Sequence, residues 1–81
     1  MTPAQCRAAR GLIHMTMQAL AEAAGVPATT VWDYEEEADR RTVLAANIAA
    51  MRHALEKVGV EFIDDVGVKL EGGKSPARKR G

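Results

Sequence analysis

The chain has 81 residues and carries eleven Lys/Arg against eleven Asp/Glu, so its formal net charge is zero. That length allows one small domain with a marginal core, which association with a second copy would help. No apolar run is long enough to span a membrane, and no signal-peptide pattern precedes the first helix. The single Cys6 excludes an internal disulfide and fits a reducing cytoplasm.

The neutrality conceals an asymmetry. Residues 71–81 hold Lys74, Arg78, Lys79 and Arg80 against Glu71, a net of +3, whereas residues 1–70 hold seven basic against ten acidic residues, a net of −3. Attraction to phosphate supplies most non-specific affinity for nucleic acid, so the acidic part counts against strong DNA binding.

In chain order, Thr2 reads as an N-cap with Pro3 at the first helical position, and a first helix runs to about Leu12. Cys6, Ala9 and Ile13 fall on one stripe, with Arg7 and Arg10 beside it. Cys6 reads as a small buried apolar residue rather than a reactive or metal-binding thiol. His14 reads as a solvated connector. Neither His14 nor His53 has a second ligand at metal spacing, so no metal site is expected. No Gly-rich phosphate loop and no nucleophile–histidine signature is present, so neither a cofactor nor catalysis is expected.

Thr16 then caps a second helix, on which Leu20, Ala21 and Ala24 recur at helical spacing. Gly25 breaks the pattern, Val26 follows, and Pro27 opens a third helix that runs to about Glu36. Val31 and Tyr34 face inward on it, which turns Ala28, Thr29, Trp32 and Asp33 outward. Two short helices joined this tightly form a helix-turn-helix unit, whose second helix can enter the major groove of DNA.

Ala21, Gly25, Val26 and Val31 stand at the offsets of the phage-repressor-like (Xre/Cro) helix-turn-helix family, which the chain resembles over roughly residues 4–58. The resemblance implies a mainly α fold, a four- to five-helix domain. It also implies a sequence-specific DNA-binding transcriptional regulator, a homodimer on a pseudo-palindromic site of double-stranded DNA. In the family an arginine ending the first helix often pairs with the glutamate closing the recognition helix. Arg10 and Glu35 occupy those positions, and the plainer reading of Arg10 is a surface arginine.

The expected DNA-facing set is Gln18, Pro27, Ala28, Thr29, Thr30, Trp32, Asp33, Arg40 and Arg41. Thr29 can hydrogen-bond a base or phosphate, and its methyl can meet a thymine methyl. Ala28 offers only the apolar part. Trp32 can pack on sugars or thymine methyls, or belong to an interface. Asp33 can accept from cytosine N4 and repels phosphate. The third helix has no Arg, Lys, Gln or Asn, so the common bidentate contacts to guanine and adenine are missing. Met17 stands where the family usually has a phosphate-anchoring Gln, and Gln18 offers an amide from the next position. Glu35, Glu36, Glu37 and Asp39 crowd the end of the third helix, where the family has basic or small residues. Arg40 and Arg41 follow and can restore a phosphate contact. The same run also reads as a solvated, self-compensating charge cluster. An acidic, Trp-bearing third helix also suits a second reading, a protein-interaction module that binds another regulator or the transcription machinery.

A fourth helix is expected over about residues 41–58, with Leu44, Ile48, Met51 and Leu55 as its apolar stripe and Gly59 beyond its end. In much of the family this region is two helices, with a break near 43–47. Beyond Gly59 the period changes to two. Val60–Ile63 and residues 66–70 read as strands around Asp64 and Asp65, a short C-terminal β-hairpin. An isolated hairpin is marginal in water. The hairpin must therefore pack on the helices or pair with its copy in a second subunit, and the favoured arrangement puts Leu55, Val60, Phe62, Val66, Val68 and Leu70 at a two-fold dimer interface. The expected organisation is one domain over residues 1–70 and a disordered basic tail over 71–81, the latter a solubilising end or an electrostatic arm.

Overall fold

The computed structural model describes residues 1–36 and 43–70. Within them lie four helices, α1 (Pro3–Leu12), α2 (Met17–Ala24), α3 (Ala28–Glu36) and α4 (Ala45–Lys57), followed by strands β1 (Val60–Ile63) and β2 (Gly67–Leu70). The expected tail (71–81), Arg40, Arg41, Glu37 and Asp39 lie outside the described residues.

Local chemistry sets the boundaries. Thr2 and Gln5 form a reciprocal capping box at the start of α1. The Gln5 N–H donates to Thr2 Oγ1 at 3.1 Å, and the Thr2 N–H donates to Gln5 Oε1 at 2.9 Å. Thr16 caps α2 by accepting from the Ala19 N–H at 3.0 Å. Gly25 ends α2 at φ 74°, a left-handed conformation, and its N–H donates to the Ala21 carbonyl at 2.8 Å. The chain can then reverse within two residues into α3.

Helix α2 packs on α3 and α4, α1 packs on α3 and β2, and α4 also touches β1. Cys6, Ala9, Leu20, Ala21, Val31, Met51, Ala54, Leu55 and Val60 form the buried core. Leu20, Met51 and Leu55 supply its bulk, and Cys6, Ala9, Ala21 and Ala54 are small enough to let the short helices approach closely.

Helix α4 begins later than the apolar stripe suggests. Val43 and Leu44 are non-helical, Leu44 is the N-cap residue, and it stands 66% exposed. Outside the helix it loses the phase that would turn it inward. Ile48, Met51, Ala54 and Leu55 carry the inward face instead.

The strands pair antiparallel with Val60 opposite Leu70 and Phe62 opposite Val68. These four share the face toward the helices. Val60 is buried, and Phe62 and Val68 pack against the core. The opposite face carries Ile63, Gly67 and the Glu61–Lys69 pair, 3.7 Å apart. The residues expected at a dimer interface therefore have cover within the chain itself. Leu55 and Val60 lie inside the chain's own core, Phe62 and Val68 cover it, and Leu70 is half-buried. Val66 belongs to the turn rather than the strand, and of the six it alone is mostly exposed, at 84%. Period-two alternation says which residues share a face but not what covers it, and here α1 and α4 do.

Candidate nucleic-acid interface

The site begins with what holds α3 from behind. Glu35 is fully buried in its last turn, where a lone carboxylate would be costly. Arg10, at the end of α1, meets it in a bidentate pair: Nε donates to Oε2 at 2.7 Å and Nη2 to Oε1 at 2.6 Å. The same guanidinium donates through Nη1 to the Met15 carbonyl at 3.0 Å, tying the α1–α2 connector to the pair. Hydrogen bonding to Glu35 raises the Arg10 pKa further above its already high ordinary value. Cys6 donates from Sγ to Glu35 Oε2 at 3.1 Å, and burial first, then Glu35, pushes its thiol pKa well up. Arg7 donates to the Glu35 backbone carbonyl, so a cation closes the C-terminal end of α3. Tyr34 donates from its hydroxyl to the Met1 carbonyl at 2.6 Å.

With Val31 and Glu35 turned inward, Thr29, Trp32, Asp33 and Glu36 recur at helical spacing along the other side of α3. Thr29 and Glu36 are exposed, Trp32 is 49% exposed, and Asp33 is half-buried. The stripe is graded. Its N-terminal half offers a hydroxyl, a methyl and an indole ring, and its C-terminal half offers carboxylates. Pro27 is exposed just before the helix, Ala28 packs against the core, and Thr30 is half-buried with its N–H on the Pro27 carbonyl at 2.9 Å. On α2, Gln18 is exposed, and its amide reaches Glu22 Oε2 at 3.4 Å, a long contact.

The structure thus brings Arg10 and Glu35 together and aligns Thr29, Trp32 and Asp33. Among the described residues, the exposed charges of α2 and α3 are Glu22 and Glu36, both acidic. No group of three or more His, Cys, Asp or Glu that could hold a metal occurs among the described residues. No helix among them is long and apolar enough to cross a membrane.

Two contributors escape the sequence reading. Arg7 reads as a flanking surface residue, and only the position of α3 reveals its carbonyl partner. Gln5 is fully buried: Nε2 donates to the Asp64 carbonyl at 2.9 Å and the Gly67 carbonyl at 3.1 Å, pinning the hairpin turn to α1. The Thr-x-x-Gln spacing from Thr2 to Gln5 signals the capping box. Nothing local signals the hairpin contact.

Neither a protein-family model nor a curated protein matches this sequence.

Proposed function

We propose that the chain is a sequence-specific DNA-binding transcriptional regulator of Xre/Cro type, acting as a homodimer on a pseudo-palindromic site. The observation that carries this reading is the α2–Gly25–α3 unit, braced from behind by the buried Arg10–Glu35 pair, with the Thr29–Trp32 stripe of α3 turned outward. Ala21 and Val31 are buried, Val26 packs against the core, and Gly25 takes the left-handed turn, which supports the resemblance carried by those residues.

In this reading two copies of α3 lie in successive major grooves about 34 Å apart. Thr29, Trp32 and Asp33 face base edges. Gln18, Arg40, Arg41 and the backbone N–H groups at the start of α3 hold phosphates. Residues 71–81, with four bases against one acid, add attraction that the acidic remainder lacks.

A second reading has its own support. The acidic exposed charge on α2 and α3 suits a protein partner that carries basic residues. Chromatin immunoprecipitation with sequencing separates the two. The DNA reading expects enriched sites with dyad symmetry, abolished by Thr29→Ala with Trp32→Ala in a chain that keeps its circular dichroism. Without any enriched site, and with a co-purifying protein that Trp32→Ala releases, the second reading takes its place.

A further inference from the structure

We propose that α3 recognises thymine 5-methyl groups, with Thr29 and Trp32 as the specificity-determining residues; this rests on the DNA-binding reading above. Each base presents a different edge in the major groove, and each edge demands a complementary side chain. Guanine calls for Arg or Lys and adenine for Asn or Gln, and α3 contains none of these. Cytosine calls for a carboxylate acceptor. The acids of the outward stripe, Asp33 and Glu36, stand in its C-terminal half, whereas recognition helices touch bases chiefly through their N-terminal residues. What the N-terminal half does present is apolar or hydroxylic. Thr29 is exposed with its γ-methyl and hydroxyl, and Trp32, one turn on, exposes about half of its surface on the same side. The thymine edge combines a methyl group with the O4 acceptor, which is the pair of features that a threonine and an indole can meet.

The exposure of Trp32 fits this assignment. Trp32 stands half in water, whereas Val31 beside it is fully buried. An indole left half in water gains by covering a methyl, and the ring tolerates small shifts of the groove because the contact is non-directional.

The test uses the full chain and a random duplex pool, selected at low salt. In the selected duplex, thymine is replaced by uracil one position at a time, which removes only the methyl. Each contacted position is expected to weaken binding about fourfold, the change that follows from leaving one carbon unburied. Thr29→Ser keeps the hydroxyl and removes the methyl, and Trp32→Ala removes the ring. Each variant is expected to bring the thymine-to-uracil ratio at its own position to about one, with circular dichroism as the check on folding. A selected duplex indifferent to uracil at every position, or one whose invariant positions are all cytosine or guanine, overturns methyl recognition and leaves DNA binding standing. A pool from which no duplex is enriched overturns both.

Discussion

Arg10 places its guanidinium against both carboxylate oxygens of Glu35, at 2.6 and 2.7 Å, with Glu35 wholly excluded from water and Arg10 18% exposed. The pair joins the end of the first helix to the last turn of the third and so fixes the angle at which α3 is presented. Removing one member leaves the other charge stranded. Arg10→Ala is expected to cost about 3 kcal/mol of unfolding free energy, a large share of what a small domain has. Glu56→Ala, which breaks the exposed Arg52–Glu56 pair at 2.9 Å, is expected to cost about 0.5 kcal/mol or less. Urea denaturation of the two variants measures the contrast. Equal midpoints would show that the pair does not brace the fold.

Cys6 adds a pH dependence of defined sign. Burial and the neighbouring Glu35 raise its thiol pKa in the folded state far above the ordinary 9.0. The folded chain therefore keeps a proton that the unfolded chain gives up. Stability from this group is fully present below pH 9.0 and falls as pH rises above it, by at most about 1.4 kcal/mol per unit. Cys6→Ala should be less stable near neutrality, because it removes a buried sulfur, and its deficit should shrink as pH climbs. Unfolding curves at several alkaline pH values compare the two chains. A disulfide-exchange reagent should find the native thiol unreactive and the unfolded one reactive.

Gln5 is buried and holds the hairpin by donating to two part-buried backbone carbonyls, so its replacement leaves them without that donor. Gln5→Leu is expected to lose about 2 kcal/mol, and Gln5→Glu at least as much, since a carboxylate cannot donate to a carbonyl. Amide hydrogen exchange locates the effect. Residues 60–70 should lose protection before α2 and α3 do, and uniform loss across the chain would argue against a local clasp.

The residues above explain what was legible in the sequence and what was not. Thr2, Thr16 and Gly25 act on their own neighbours, so the ends of α1 and α2 follow from local spacing. The strands likewise follow from alternation. Leu44 misleads because periodicity continues across a helix start that no side-chain cap marks. Val60, Phe62 and Val68 leave their cover open because an apolar strand face looks alike whether a helix or a second copy covers it. The Gln5 clasp spans 59 and 62 residues to carbonyls that exist as partners only once the hairpin has docked. On α3 the inward residues could be assigned by phase, whereas the ligand of the outward ones depends on chemistry outside the chain.

Gly25 offers a test of the turn that sets α3 against α2. Its φ of 74° suits glycine, and a Cβ built there meets nothing within 4 Å. Gly25→Ala therefore carries backbone strain without a clash, an expected loss of about 1 kcal/mol. Gly25→Asn should cost less, because asparagine tolerates the left-handed region. Thermal unfolding of both variants checks the order. An alanine variant as stable as the parent would mean that the turn relaxes.

The charge asymmetry makes a quantitative claim about DNA affinity. Residues 1–70 are net acidic, and Lys74, Arg78, Lys79 and Arg80 sit in the last eleven residues. If the bases of that segment contact phosphates, each contact contributes about 0.9 to the slope of log affinity against log salt. Replacing all four with glutamine in the full chain is expected to lower that slope by about 3 to 4. Affinity at low salt should fall at least tenfold, while the denaturation midpoint and the base preference imposed by α3 stay unchanged. Titrations of one duplex at several salt concentrations give the slope for both chains. An unchanged slope would assign the phosphate contacts to Arg40, Arg41 and the helix ends, and the basic segment would then have no part in binding. A slope that falls together with the base preference would mean that the segment touches base edges as well as phosphates.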